Sequence, residues 1–425
     1  MAVKTNILDV RARQVLDSRG NPTVEAEVES GRAMGRASVP SGASKGRHEA
    51  LELRDGGERF HGMGVAKAVG NVRGALRRGV VGLRVDDQRR LDHKMISLDG
   101  TPDKSKLGAN AILAVSMASA KAAANSNGVS LFVQLRKSGR YILPVPMMNV
   151  INGGEHAGND LAVQEFLIEP VGASSCAEAI RMGSEVYHSL KAILVSEHGR
   201  GAINVGDEGG FAPPFRLTRE ALGSIRKAVS ASGYSEKEVK LGIDAAASTF
   251  YDEKSGRYTL DGHAMSGEAL EDHYARLRDE FGLLTIEDPF HEEAFDDFAS
   301  ITKRLGRSTK VIGDDIYVTN VARIKLGIEK KATNAVLIKL NQIGTVSETE
   351  DAIGLARAAG WTPVVSHRSG ETEDPFIAHL ATAFGADFIK TGAPARGERV
   401  AKYNELLRIE EELRSKAGYA GRELG

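Results

Sequence analysis

Cysteine is nearly missing from this chain: among 425 residues, Cys176 is the only one. No intrachain disulfide can form, so packing alone must hold the fold, and the composition suits a reducing, cytoplasmic compartment. An excess of either charge is missing too. Lys and Arg number 56 against 57 Asp and Glu, giving a net charge of −1 and an isoelectric point near 6.9. That balance argues against a general nucleic-acid or membrane surface. No apolar run approaches membrane-spanning length, and Met1 to Val10 lack the basic stretch and apolar core of a secretory signal. Walker A, dinucleotide-binding and zincin motifs are also absent. The expected partner is a small molecule rather than a nucleic acid or a membrane.

What is present is an apolar fraction of 41%, ample for a sizeable core. The length exceeds one ordinary small domain and suggests a barrel plus a smaller unit. In the second half, short apolar runs recur, each ending on a polar or charged group: Lys240 to Asp244, Leu283 to Glu287, Lys310 to Asp314, Val336 to Leu340 with Lys339 inside it, Thr362 to His367, and Phe388 to Lys390. The six polar positions are spaced by 43, 27, 25, 28 and 23 residues. All but the first interval fit one strand, one helix and two short loops. Alternating strands and helices imply a parallel sheet that closes into a barrel. The carboxyl ends of barrel strands are where such folds keep their active sites.

The first part reads differently. Ile7 to Leu16 and Pro22 to Glu29 are strand-like around the turn formers Asp17 to Pro22, and a third strand is expected from Arg32 to Val39. Helical patterns follow at Val65 to Arg78 and Lys106 to Asn125. This is an α+β unit ending near Arg140, which divides the chain into 1–140 and 141–425. Gly42 to Gly46 match G-x-S-x-G, but Pro40 and the arginine-bearing strand before it fit a nucleophile elbow badly. An ordinary surface loop and a lid over an anionic ligand both remain open there. Two further strands are expected on either side of a Gly-rich loop carrying His156, the second holding Glu165 in an apolar setting where an unpaired carboxylate is costly. Helices are expected at Ser175 to Glu197 and Thr218 to Ser232, with Glu208 in the glycine-bracketed segment between them. Glu253 to Gly256 reads as an exposed turn, and His291 to Glu293 as a solvated helix start.

Asp244, Glu287 and Asp314 offer hard oxygen ligands from three successive strands, a set that suits Mg²⁺. A lysine in an apolar strand is a candidate general base unless a carboxylate answers it. With a metal beside it, Lys339 points to proton abstraction next to a carboxylate, the dianionic enolate being stabilised by metal charge. Arg368 and Ser369 could fork onto a phosphate, and Glu208 or Glu165 could protonate a departing hydroxyl.

These residues stand in stretches that together resemble the enolase family from Ile7 to about Tyr419. The stretches are Ser38 to Ser44, Gly153 to Ala157, Gln164 to Phe166, Gly206 to Pro213, Ile286 to Pro289, Leu337 to Thr345, Ser366 to Asp374 and Ile389 to Arg396. A Lys or His base beside Mg²⁺ is the general pattern of that superfamily. The resemblance implies an α/β barrel of the ββαα(βα)₆ type with an N-terminal α+β capping domain. It implies the glycolytic and gluconeogenic interconversion of 2-phospho-D-glycerate and phosphoenolpyruvate. It also implies Asp244, Glu287 and Asp314 as ligands of a first Mg²⁺, with an oxygen of Ser41 and the substrate phosphate holding a second that arrives with substrate. Lys339 then resembles the base at C2 and Glu208 the acid at the C3 hydroxyl, assisted by Glu165 and His156. Lys390 would contact the substrate carboxylate, Arg368 and Ser369 the phosphate, with Gln164 and His367 at the same site. Homodimers or octamers are implied as well.

Three departures from the family pattern stand out: Lys45 where the lid loop more usually has Thr, Thr249 in place of a Glu, and Pro375 with His379 after the phosphate-binding motif. Two rival readings are a racemase or acid-sugar dehydratase on the same fold, and a catalytically silent scaffold. The lid and the His367–Arg368–Ser369 stretch oppose the first, and retention of every proposed catalytic side chain opposes the second.

Overall fold

The structure is a computed structural model that describes residues 5–31, 33–43, 46–136 and 139–424. Three antiparallel strands open the chain: β1 (Ile7–Leu16), β2 (Pro22–Ser30) and β3 (Ala33–Ser38). Arg32, the expected start of the third strand, lies outside the described residues. Helices α1 (Gln88–Asp99) and α2 (Ala109–Asn127) complete this unit. The close seat of α2 explains its small residues. A Cβ at Gly35 of β3 would stand 2.1 Å from the Ala118 carbonyl oxygen, so only glycine admits the helix there. The pattern at Val65 to Arg78 folds as helical turns over 66–80, interrupted by a wider turn at Val72–Leu76. Helix α1 was not legible in the sequence: capped by Asp87, it buries Leu91 and Met95 together with two acids, Asp92 and Asp99, too thin an apolar stripe to announce itself.

Eight strands then close a barrel: β4 (Val145–Asn152), β5 (Glu165–Glu169), β6 (Lys240–Asp244), β7 (Thr285–Glu287), β8 (Lys310–Gly313), β9 (Ala335–Ile338), β10 (Thr362–Ser366) and β11 (Phe388–Lys390). Only β5 runs against its neighbours. Two helices, α3 (Cys176–His198) and α4 (Thr218–Ala231), separate β5 from β6. Helices α5 (Gly267–Phe281), α6 (Phe295–Leu305), α7 (Val321–Lys330), α8 (Val346–Ala358), α9 (Phe376–Phe384) and α10 (Gly397–Leu413) follow the later strands. This is the ββαα(βα)₆ order. Both faces of the strands are covered, which is why they read as continuous apolar runs.

The one overlong interval, between Asp244 and Glu287, holds a small antiparallel sheet over 251–265, and the turn at Glu253 to Gly256 is its first hairpin. His291 to Glu293 is not a solvated helix start. Glu292 is buried and accepts the Arg47 N–H at 3.0 Å, and Glu293 pairs with His48 and Arg323, so these acids anchor the N-terminal unit to the barrel. The same joint is made at Ser41, whose N–H and C=O both pair with Gly370, and at Ala50, whose N–H reaches the Gln342 carbonyl. These bonds hold residues 39–43 and 46–50 over one end of the barrel.

Candidate active site

The barrel rim under that segment collects the polar strand ends. Asp244, Glu287 and Lys390 are the last residues of β6, β7 and β11, while Asp314, Lys339 and His367 follow β8, β9 and β10 by one residue. Lys339 thus stands just past its strand rather than inside it. Glu165 begins β5, and the reversed direction of that strand brings it to the same rim. Register pairs Glu165 with Asp244, and Asp244 with Glu287.

Both lysines are answered by carboxylates. Lys390 Nζ lies 2.8 Å from Asp244 Oδ2, 2.9 Å from Glu287 Oε2 and 3.1 Å from Glu165 Oε1. Lys339 Nζ donates to Asp314 Oδ2. Burial alone would depress each ammonium, but the adjacent carboxylates outweigh it, and both lysines sit above their ordinary range. Lys339 is therefore buried as expected, but a carboxylate answers it and it is a paired ammonium. Asp314 is held below the carboxylate range by Lys339 despite burial, whereas burial and the neighbouring Asp244 charge raise Glu287 well above it.

Across the rim lies a second cluster. His156 Nδ1 is 3.8 Å from Glu165 Oε1 and 3.7 Å from Glu208 Oε1, and Asn149 Nδ2 donates to Glu208 Oε2 at 3.0 Å. Their surroundings drive the two carboxyls in opposite directions. Burial and the charge on Glu208 push Glu165 well up, while the imidazoles and Arg399 overcome burial and hold Glu208 well down. His367 Nε2 is 3.4 Å from Glu208 Oε1.

Lys339, Lys390, Glu165, Glu208, His156, Gln164, Asp244, Asp314, His367, Arg368 and Ser369 all line one polar cavity, with only about 30 Å³ open to water. That is room for about one water molecule. Unpartnered buried atoms face this chemistry: His156 Nδ1, Gln164 Oε1, Glu165 Oε2 and His367 Nε2. Such orphans are expected where a ligand completes the hydrogen bonding. At the edge, Arg368 grips the Glu49 carboxylate with both terminal nitrogens at 3.1 Å, and Ser369 Oγ accepts the Ala43 N–H at 2.8 Å. Ser41 is not part of the lining. Its hydroxyl donates to Glu52 and accepts from Arg54.

Among the described residues, two groups have ligand atoms within 4.8 Å of one another: His156, Glu165 and Glu208, and Asp288, Asp314 and Asp315. Asp244 and Glu287 instead converge on Lys390. The buried, mutually repelling carboxylates form an all-oxygen set in which the lysines already supply the cationic charge, and this chemistry fits a hard dication. Asp288 was not singled out in the sequence, yet its carboxylate accepts the N–H groups of Asp314 and Asp315, both at 2.8 Å, and so fixes the turn that presents Asp314. The adjacent acids in Glu287–Asp288 and Asp314–Asp315 were the available signal; Glu49 and Arg399 offered none. Lys45 lies outside the described residues. Thr249 is exposed and caps a local turn through the Ala246 carbonyl, and His379 pairs with Glu405 and stacks on Phe132. None of Thr249, Pro375 and His379 lines the cavity.

Comparison with known proteins agrees with this geometry. Residues 7–135 match the family model "Enolase, N-terminal domain", and residues 140–425 match "Enolase, C-terminal TIM barrel domain". The protein named Enolase from Methanocaldococcus jannaschii is 57% identical over 423 residues, covering 99% of each chain. Enolase from Thermococcus gammatolerans is 55% identical over 98% of this chain and 97% of its own, and Enolase from Methanococcoides burtonii is 52% identical with the same coverage. Kinship that runs through both the capping unit and the barrel, at more than half identity, leaves one assignment: the chain belongs to the enolase family.

Proposed function

We propose that this chain catalyses the reversible dehydration of 2-phospho-D-glycerate to phosphoenolpyruvate. The observation that carries the reading is the one cavity shared by a lysine, Lys339, a carboxyl pair, Glu165 and Glu208, and a guanidinium fork, Arg368. Removing a proton at C2 and expelling a hydroxyl at C3 need a base and an acid on separate groups, and the two clusters supply them. Relief of its pairing with Asp314 lets the desolvated Lys339 ammonium release its own proton to solvent, and the neutral amine so formed takes the C2 proton. Glu208 delivers a proton to the C3 hydroxyl, with Glu165 and the His156 ring, 3.8 and 3.7 Å from Glu165 and Glu208, placed to resupply it. Lys390 and Gln164 orient the substrate carboxylate. Arg368 exchanges the Glu49 carboxylate for the phosphate, joined by Ser369, and the small cavity requires that this exchange and movement of the covering segment accompany binding.

Asp244, Glu287 and Asp314 would hold Mg²⁺, with Ser41 contributing to a second ion that arrives with substrate. Mg²⁺ bound there supplies positive charge where the substrate carboxylate becomes more negative. The reading extends to a cytoplasmic dimer or octamer and to a domain boundary near residue 140. The boundary is supported by the family matches that end at 135 and begin at 140. The site of action is supported by the single buried cysteine and by the fact that no helix among the described residues is long and apolar enough to cross a membrane.

The test is absorbance of phosphoenolpyruvate formed from 2-phosphoglycerate, with Mg²⁺ and with excess chelator. Product that forms only with the metal supports the proposal. No product in either condition refutes it.

A further inference from the structure

We propose that Arg399 is a positioning residue for the acid half of this reaction, holding the His367 ring as the tautomer whose Nε2–H faces Glu208. The inference rests on the function proposed above for its catalytic consequence, but not for its geometry.

Arg399, on α10, is completely buried and does not line the substrate cavity. Its Nη1 lies 2.6 Å from His367 Nδ1 and donates at 2.6 Å to the Arg368 carbonyl. Its Nη2 donates to the Ser369 carbonyl at 2.6 Å and to the Asp207 carbonyl at 3.1 Å. One side chain therefore ties the segment carrying the phosphate fork to the segment carrying Glu208. A guanidinium has donors and no acceptor, so His367 Nδ1 must accept. Burial, together with the charge of Arg399, pushes His367 down to about 3 against the pull of Glu208, so the ring is neutral and its one proton is on Nε2. The charged groups facing the ring are Glu208, Arg399 and Lys390. Nε2 has no closer partner than Glu208 Oε1, 3.4 Å away.

The tautomer matters because Glu208 must pass a proton to the leaving hydroxyl. A ring presenting a lone pair at Nε2 would be a base in competition for that proton. A ring presenting N–H can only donate toward Glu208. Space for the arrangement comes from Gly392, where a Cβ would lie 2.7 Å from the Glu208 carbonyl oxygen and 2.9 Å from Arg399 Cδ.

The first measurement is ¹⁵N NMR of histidine-labelled protein without substrate, His367 being assigned from the signal lost in His367→Gln. Nε2–H with an unprotonated Nδ1 is expected from pH 5.5 to 8.5. An Nδ1–H or a doubly protonated ring overturns the proposal, whether or not the chain is active. The second is Arg399→Lys, which keeps charge but cannot satisfy the same acceptors. Dehydration should fall by about 10–100-fold, by analogy with the loss of partners that orient metal-ligating histidines, while deuterium exchange at C2 stays near wild type. In a His367→Gln background the same change should cost little more, because the pathway through the ring is already gone. Equal loss of exchange and dehydration, or full additivity with His367→Gln, overturns the positioning role. If Arg399→Lys does not fold, the wild-type spectrum still decides. Inactivity of wild type toward 2-phosphoglycerate would instead strike the proposed function and leave the tautomer result standing.

Discussion

Glu169 allows a prediction about stability separate from the chemistry. It ends β5 at the opposite side of the barrel from Glu165, with its side chain completely buried. Thr285 Oγ1 donates to its Oε1 at 2.6 Å, while Oε2 has no partner. Burial pushes its carboxyl from 4.5 up to about 8, with hydrogen bonding to Thr285 and the charge of Lys240 only partly opposing. At neutral pH the folded chain therefore keeps a proton that the unfolded chain releases. Stability is greatest below the unfolded value of 4.5, declines as pH rises from there to about 8, and is flat beyond. A shift of that size corresponds to about 5 kcal/mol lost across the whole window at about 1.4 kcal/mol per pKa unit. Glu169→Gln keeps an acceptor for Thr285 and cannot ionise. Denaturant unfolding of both proteins at pH 5 and pH 8.5 reads the effect as a difference of differences, which cancels any fixed cost of the amide. The variant should gain about 4 kcal/mol on the parent between those pH values. An unchanged gap would show that Glu169 does not carry a buried proton, and the reasoning would fall.

Three further expectations concern the cavity. Lys339→Ala should abolish both exchange of the C2 proton and phosphoenolpyruvate formation, whereas Glu208→Gln should retain exchange and lose dehydration, each loss at or above ~10²–10⁴-fold; deuterium uptake by NMR alongside product absorbance separates them. Arg368→Lys should weaken substrate binding by ~1.5–3 kcal/mol, because a point ammonium cannot copy a fork that now holds Glu49 bidentately; an unchanged KM would remove Arg368 from the phosphate site. Glu287→Ala should severely lower Mg²⁺ affinity by calorimetry, and Asp314→Ala should do the same while also freeing Lys339 from its ion pair; full activity of wild type in excess chelator would sink the metal assignment.

Much of this was legible in the linear chain. Apolar runs ending on Asp244, Glu287, Asp314, Lys339, His367 and Lys390 predict buried parallel strands with polar groups at one rim, because both the burial of a strand and its length are local properties of sequence. The same runs with Glu165 and Glu208 supplied the residue types on which the proposed chemistry rests. Helix α1 and the small sheet over 251–265 escaped, the first for lack of apolar periodicity and the second because a hairpin of short, partly exposed strands resembles loop.

The sequence by itself determined the barrel rhythm and the residue types gathered at the rim. Tertiary structure decided their states. Asp314 keeps Lys339 above its ordinary range, unlike surroundings push Glu165 up and hold Glu208 down, and Arg368 holds Glu49 across 319 positions of chain. Protonation and pairing depend on separations of a few ångströms between groups remote in sequence, and on how completely water is excluded around them. Neither quantity exists until the strands close and the N-terminal segment is laid across their ends.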